Sequence, residues 1–269
     1  MSKHELILAL ETSSRVGSVA LALGPKLLAQ ATFTAPMRHS AEIFGAITAL
    51  MDRFDRHPRQ LDHIYISVGP GSFTGLRISV TIAKAMHIVQ PVRIAAVDTL
   101  DVIAANAPAT EHGRPIDRIA TILDAKRNQF YVAAYQRQID PGNAPPKATS
   151  DIRHPTCDTR HATYHIRNTT YKTWQRLIPD SLMTATQFLD TFADPANPID
   201  LLGDGLLFHK AKFQSSGAAF LDEQYWSPQA ANVHALGYQL VQAGNFADPL
   251  KLIPTYIRRP EAEEKRQQQ

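Results

Sequence analysis

Three groups of residues in this chain have types and spacings suited to chemistry. The first is a pair of acids, Glu11 and Asp124. Each closes a short apolar run and is followed by turn residues, Thr12-Ser13-Ser14-Arg15 in one case and Ala125-Lys126-Arg127-Asn128 in the other. Acids at strand ends suit Mg²⁺ binding in phosphoryl transfer if a nearby loop wraps the phosphates in backbone amides. Thr12 and Ser13 supply no glycine for that approach, so the site reads as half built. The second group is Gly69-Pro70-Gly71-Ser72-Phe73-Thr74-Gly75-Leu76-Arg77. Its glycines permit a tight turn, Ser72 or Thr74 can cap a helix, and a helix N-terminus at the end of a strand attracts anions. The segment lacks the Gly-Lys-Ser/Thr ending of a P-loop, and Thr74 stands where a dinucleotide fingerprint needs its third glycine. A structural turn is therefore favoured over a phosphate site. The third group is His154, Cys157, His161 and His165. Their types suit zinc, but the paired short-spacing knuckle is missing, and with 11 histidines in the chain no metal site is expected. No Ser/His/Asp nucleophile can be assembled.

The elements that position these groups follow from patterning. Residues 6–10 form a short apolar run closed by a turn, which predicts a buried strand. Residues 16–23 return as a hairpin, Gly24-Pro25 breaks it, and 27–33 make a third strand. Then follow a helix over 40–54, a buried strand over 64–68, a helix over 74–89, a strand over 92–97, and a helix capped by Thr99 and running through 107. Three meandering strands followed by strand–helix alternation give a mixed sheet in the order of a ribonuclease-H-like fold. A second strand–acid–turn–strand unit over 119–135 places Asp124 where the first unit places Glu11, as a duplicated fold requires. Actin-like ATPases use two such copies. The expected fold is thus α/β, two-lobed and actin-like (ASKHA), with mixed five-stranded sheets. Residues 1–107 form the first lobe, completed by a late helix over 229–244. Residues 108–228 form a more divergent second lobe, and 259–269 form a polar tail. Residues 136–198 give few clear periods beyond a short helix at Phe188 and Leu189.

Bulk properties fit this organisation. The chain has 269 residues, 44% of them hydrophobic and 20% charged, which suits two ordinary cores. A formal charge of +3 permits an RNA partner without arguing for one, since apart from Arg258–Arg259 and the solvated tail over 261–269 no Lys/Arg run marks a basic face. A single cysteine excludes an internal disulfide and fits a reducing compartment. The apolar run at 6–10 is too short for a membrane span. A cytoplasmic protein is expected.

The glycine segment, with the following Ile78-Ser79-Val80-Thr81-Ile82-Ala83-Lys84, resembles the signature of the TsaB family. Leu8-Ala9-Leu10-Glu11-Thr12-Ser13, His39-Ser40, Leu123-Asp124-Ala125-Lys126-Arg127, Leu202-Gly203-Asp204-Gly205 and Pro254-Thr255-Tyr256-Ile257-Arg258 add weaker matches in the right order. The resemblance implies the actin-like fold and a scaffold role in tRNA threonylcarbamoyladenosine synthesis. It implies pairing with the catalytic subunit TsaD, joined by the ATPase TsaE, with tRNA met indirectly through the complex and self-association as a further property. It places ATP, ADP and Mg at the partner, or only weakly here. The related catalytic subunit binds metal through two histidines on its first helix. Here His39 is alone, with Ile43 four residues later. The loops holding Glu11, Thr12, Ser13, Gly69, Gly71, Ser72, Thr74, Gly75 and Asp124 are then vestigial, and no catalytic residue is expected.

Helical patterning supports an interface independently. On the first helix Ile43, Ile47, Leu50 and Phe54 face a sheet, while Ala41, Gly45 and Ala49, beside Thr48, form a second face of small residues. The second helix is apolar nearly all round, with only Arg77, Thr81 and Lys84 as a polar strip. An interior helix in a large lobe explains this too. The favoured reading is a partner surface built from His39, Ala41, Gly45, Thr48, Ala49, Leu50, Asp52, Leu76, Arg77, Val80 and Lys84, which is where the family places its TsaD contact. The competing reading is an autonomous actin-like ATP-dependent kinase or carbamoyltransferase, which needs a glycine-rich phosphate loop and metal ligands.

Overall fold

The computed structural model describes residues 5–33, 39–138, 163–165 and 174–257. β1 (Leu6–Glu11), β2 (Gly17–Leu23) and β3 (Lys26–Phe33) form an antiparallel meander. α1 (His39–Arg53), β4 (His63–Gly69), α2 (Phe73–Val89), β5 (Arg93–Asp98) and α3 (Thr99–Ala104) follow, with β4 parallel to β1 and β5 parallel to β4. A short ladder of β6 (Thr110–Glu111) and β7 (Arg114–Pro115) leads to the second sheet. There β8 (Arg118–Asp124) pairs antiparallel with β9 (Phe130–Arg137). Beyond these come β10 (Thr163–His165), β11 (Trp174–Arg176), β12 (Ser181–Met183), α4 (Ala185–Phe192), β13 (Ile199–Leu202), α5 (Leu206–His209), β14 (Ala218–Phe220) and α6 (Ala230–Gln242).

The sheets run β10-β3-β2-β1-β4-β5 and β11-β9-β8-β13-β14, with β12 also pairing β9. In each, a central strand lies antiparallel to the strand after it and parallel to the next one added, which in turn is parallel to a third. The strand–acid–turn–strand echo is thus a duplication of the whole sheet. Each sheet has six strands rather than the expected five. The first gains β10 on β3, and the second carries both β11 and β12 on β9. Both additions come from the stretch that showed little periodicity.

Alternation explains why β1 is buried throughout. Leu6, Leu8 and Leu10 pack with Ile43, Leu50 and Val80 on the α1/α2 side, while Ile7 and Ala9 pack with Tyr65 and Val233 on the α6 side. The first turn of α6 has no side-chain cap of its own. Ser18 Oγ and Gln30 Oε1 on the sheet accept from the Ala230 and Ala231 amides at 2.9 and 2.7 Å. Gly237 of α6 lies so close to the sheet that a Cβ would sit 2.7 Å from the Tyr65 ring. A third core, around Ile119, Ile122, Phe130, Phe188 and Phe213, closes the second sheet.

Two expectations are corrected. Asp98, not Thr99, caps α3, because its carboxylate reaches the amides of Leu100 and Asp101 while Thr99 is already helical and buried. The helix also stops at Ala104, short of 107. Of the His154, Cys157, His161 and His165 set, only His165 falls within the described residues, on β10. The tail over 259–269 also lies outside them. No helix among the described residues is long and apolar enough to cross a membrane.

Candidate functional site

Glu11 ends β1 fully buried. Its Oε1 accepts from the Ser13 amide at 2.6 Å and the Ser13 hydroxyl at 2.5 Å, while Oε2 has no partner among the described residues. Burial pushes this carboxyl up and the nearby Asp204 adds to the push, against hydrogen bonding from Ser13. Asp204, between Gly203 and Gly205 after β13, accepts from Ser14 Oγ at 2.6 Å and is likewise pushed up by burial. Asp124 ends β8. Burial raises its carboxyl, but the Lys126 ammonium at 2.6 Å and the Lys126 amide at 2.7 Å outweigh that and, with His209 at 3.8 Å, hold it below the usual range. The acids expected at the two strand ends are joined by Asp204, which the sequence reading did not include as a site residue. Its signal was an acid between two glycines after a parallel strand.

The glycine loop packs against the β1 turn instead of opening toward a ligand. The Ser72 amide donates to Ser13 O at 2.7 Å, and the Thr12 hydroxyl donates to Gly75 O at 2.7 Å. A Cβ on Gly75 would stand 1.7 Å from Thr12 O, and one on Gly71 would stand 2.5 Å from Ser13 O. Gly69, at φ 121°, is pressed against Thr255 O, while the Thr255 amide bonds Val68 O at 2.7 Å. Ser72 caps α2 through the Gly75 amide, while Thr74 is exposed on the first turn. These glycines serve close approach of three chain segments. The Ser72 amide and the Gly75 carbonyl are taken up by the Thr12–Ser13 turn, which makes this loop a packed structural turn.

A second acid cluster joins the two sheets. Arg176 on β11 binds Asp180 and Asp101 at 2.5 Å each and Asp98 at 3.2 Å, and the Tyr135 hydroxyl donates to Asp101 at 2.9 Å. Burial, then the adjoining Asp180 carboxyl, push Asp98 up to about 7 against the pull of Arg176. At the surface, donor atoms of Glu111, His112 and Asp222 lie within 4.8 Å of one another, though Glu111 Oε1 already accepts the Asp222 amide.

The helical face divides cleanly. Ile43, Ile47, Leu50 and Met51 of α1 are buried against the sheet, while Gly45, Thr48, Ala49 and Asp52 are exposed and Phe44 is 58% exposed. On α2, Leu76 and Val80 are buried, Arg77 and Thr81 are exposed, and Lys84 is half-buried. Leu50, Leu76 and Val80, expected at the partner surface, therefore belong to the chain's own core. Leu50 lies seven residues after Ile43 and falls on the same stripe. His39 and Ala41 sit on α1, with side chains outside the described set. Between the helices a groove of about 420 Å³ is lined by Phe44, Phe73, Thr74, Arg77, Ile78 and Thr81, with Ile82 beneath. The Arg77 guanidinium lies 3.7 Å over the Phe73 ring, and its Nε reaches the Tyr256 hydroxyl at 3.3 Å. Among the described residues nothing lies within 4 Å of where a Cβ on Gly45 would stand, so their packing does not demand glycine there. In mid-helix that choice costs about 1 kcal/mol relative to alanine.

Two copies of one ribonuclease-H-like sheet, with inter-sheet acids bonded internally, define a two-lobed protein of actin-like fold. A family model described as "TsaD: tRNA N6-adenosine threonylcarbamoyltransferase" matches residues 33–144. The tRNA threonylcarbamoyladenosine biosynthesis protein TsaB of Bacillus subtilis is 27% identical over 266 residues, covering 96% of each chain. The TsaB of Escherichia coli is 28% identical over 131 residues, 49% of this chain and 55% of that one. A solved YeaZ from Pseudomonas aeruginosa superposes with a TM-score of 0.69 at 20% identity, over 94% of this chain and all of that one, and so shares the fold. The chain is thus similar to TsaB along nearly its whole length.

Proposed function

We propose that this chain acts in tRNA threonylcarbamoyladenosine biosynthesis as a non-catalytic scaffold that binds and supports a TsaD-like catalytic subunit. The observation that carries the reading is the α1/α2 groove, with Phe44 and Phe73 exposed beside the small residues Gly45 and Ala49. An exposed aromatic next to small residues lets a partner helix approach closely and bury an anchor. The similarity to TsaB along nearly the whole chain supports the pathway. The internal bonding of Glu11 and Asp124 supports an accessory role over an autonomous kinase or carbamoyltransferase. In this reading ATP or ADP and Mg act at the partner, a TsaE-like ATPase joins the pair, and tRNA is reached through the complex in the cytoplasm. A second copy of the chain is the alternative occupant of the same face.

Leu50→Asp is unsuitable as a probe, because Leu50 is buried in the chain's own core. The test is copurification of the TsaD-like subunit from the native host with wild-type chain and with Phe44→Asp. Loss of the subunit with Phe44→Asp, while the variant stays folded, supports the reading. Undiminished copurification overturns it.

A further inference from the structure

The turn between β8 and β9 has a feature that the helical face does not require. Lys126, Arg127 and Asn128 have φ values of 64°, 52° and 60°, and all three are exposed. The Gln129 amide returns to Lys126 O at 3.1 Å, closing a turn whose central residues are both left-handed. Such turns match the twist of a hairpin, but glycine and asparagine are the residues that enter them without strain. Lysine and arginine here supply what glycine would not, which is charge. Lys212 donates to Asn128 Oδ1 beside this turn. His209 lies 3.8 Å from Asp124, and its neighbour Phe208 is 64% exposed. The Arg15 guanidinium, from the turn after β1, stands 4.3 Å from the centre of the Phe208 ring.

Arg15 thus stands over the exposed ring, and Lys212, four residues after Phe208, joins that segment to the cationic turn between β8 and β9. The acids on this side are already engaged, Asp124 by Lys126 and Asp204 by Ser14. Grooves that bind single strands combine charge along the phosphates with an aromatic platform for a base. A duplex hides its bases from such a ring. We propose that this edge binds single-stranded RNA, an unpaired base stacking with Phe208 while Arg15, Arg127 and Lys212 hold the phosphates. The proposal deepens the tRNA role above by giving the chain a direct RNA contact, and it uses none of the α1/α2 groove.

The test is fluorescence anisotropy of a labelled, unstructured RNA dodecamer with the intact chain at 50 and 200 mM salt. An RNA duplex and AMP serve as competitors. Phe208→Ala is expected to weaken binding about tenfold, as loss of one stacked base does, with little change in salt dependence. Arg127→Gln is expected to weaken binding at low salt and to flatten the logarithmic salt slope by about 0.7. Both side chains are exposed, and circular dichroism confirms that the variants fold. No wild-type binding at 50 mM salt, or variants that bind like wild type, overturns the proposal. So does AMP competing as well as the dodecamer, which would mark a mononucleotide site, or duplex competing as well, which would mark charge alone. A chain that fails here yet still copurifies its TsaD-like subunit loses only the RNA contact and keeps the scaffold role.

Discussion

Phe44→Ala and Leu50→Ala separate partner binding from folding, although the two residues lie on the same helix. Leu50 is fully buried, so truncation to alanine is expected to cost 2–5 kcal/mol of stability, or roughly 2–4 °C of melting temperature for each kcal/mol. Phe44 is 58% exposed, so only about two-fifths of its side chain is sheltered by the chain itself. Full burial of such a ring contributes about 1.5–3 kcal/mol, so its loss is expected to cost about 1 kcal/mol in the isolated chain. As an anchor in a partner pocket it is expected to contribute about 2 kcal/mol or more to binding, roughly thirtyfold in Kd. Urea denaturation of the isolated chain gives the first quantity. Calorimetric titration with the TsaD-like subunit gives the second. The reasoning fails if Phe44→Ala destabilises the chain as much as Leu50→Ala, or leaves the affinity within threefold of wild type.

Three further outcomes follow from the same geometry. Gly45→Leu adds a side chain into open space, so it is expected to keep or slightly raise stability, by up to about 1 kcal/mol, while weakening copurification of the partner. Denaturation and pull-down check the two halves. Glu11 has its carboxyl raised in the folded chain, so its contribution to stability is full below the unfolded carboxyl range and is lost as pH rises through the folded value. Glu11→Gln is therefore expected to lose less stability than wild type between pH 4.5 and 8 in urea titrations, and an identical slope counts against the burial argument. Asp98, pushed up to about 7, likewise gives stability that is present below about pH 4 and lost as pH rises toward and through 7. Asp180→Asn removes the adjoining carboxyl, so the Asp98 carboxyl carbon is expected to titrate lower in carbon-13 NMR, and an unmoved titration refutes the pairing.

The duplicated sheet was legible because its signal is local. Each copy begins with an apolar run, an acid, a turn and a returning strand, and Glu11 and Asp124 mark the same place in both. The faces of α1 were legible in part. Period 3.6 correctly sends Ile43, Ile47 and Leu50 inward, and it therefore removes Leu50 from the exposed set in which it was expected. On α2 the apolar pattern runs nearly all round, so sequence alone cannot say that Leu76 and Val80 face the sheet while Arg77 and Thr81 do not. What stayed hidden depends on long-range approach. The packing of the glycine loop on Thr12 and Ser13 joins segments some sixty residues apart. Asp204 meets Ser14 across 190 positions, and Arg176 gathers Asp98, Asp101 and Asp180 from both sheets. The cap of α3 was misplaced by one residue because Asp98 and Thr99 are both competent caps, and only backbone geometry distinguishes them. The strand β10 was missed because three residues carry no readable period.

The most direct test of the scaffold account is the content of threonylcarbamoyladenosine in bulk tRNA from cells depleted of the native chain and supplied with variants. The account predicts that wild type and Glu11→Gln restore the nucleoside while Phe44→Asp does not. Restoration by Phe44→Asp together with failure of Glu11→Gln would contradict it and would place the essential chemistry in this chain.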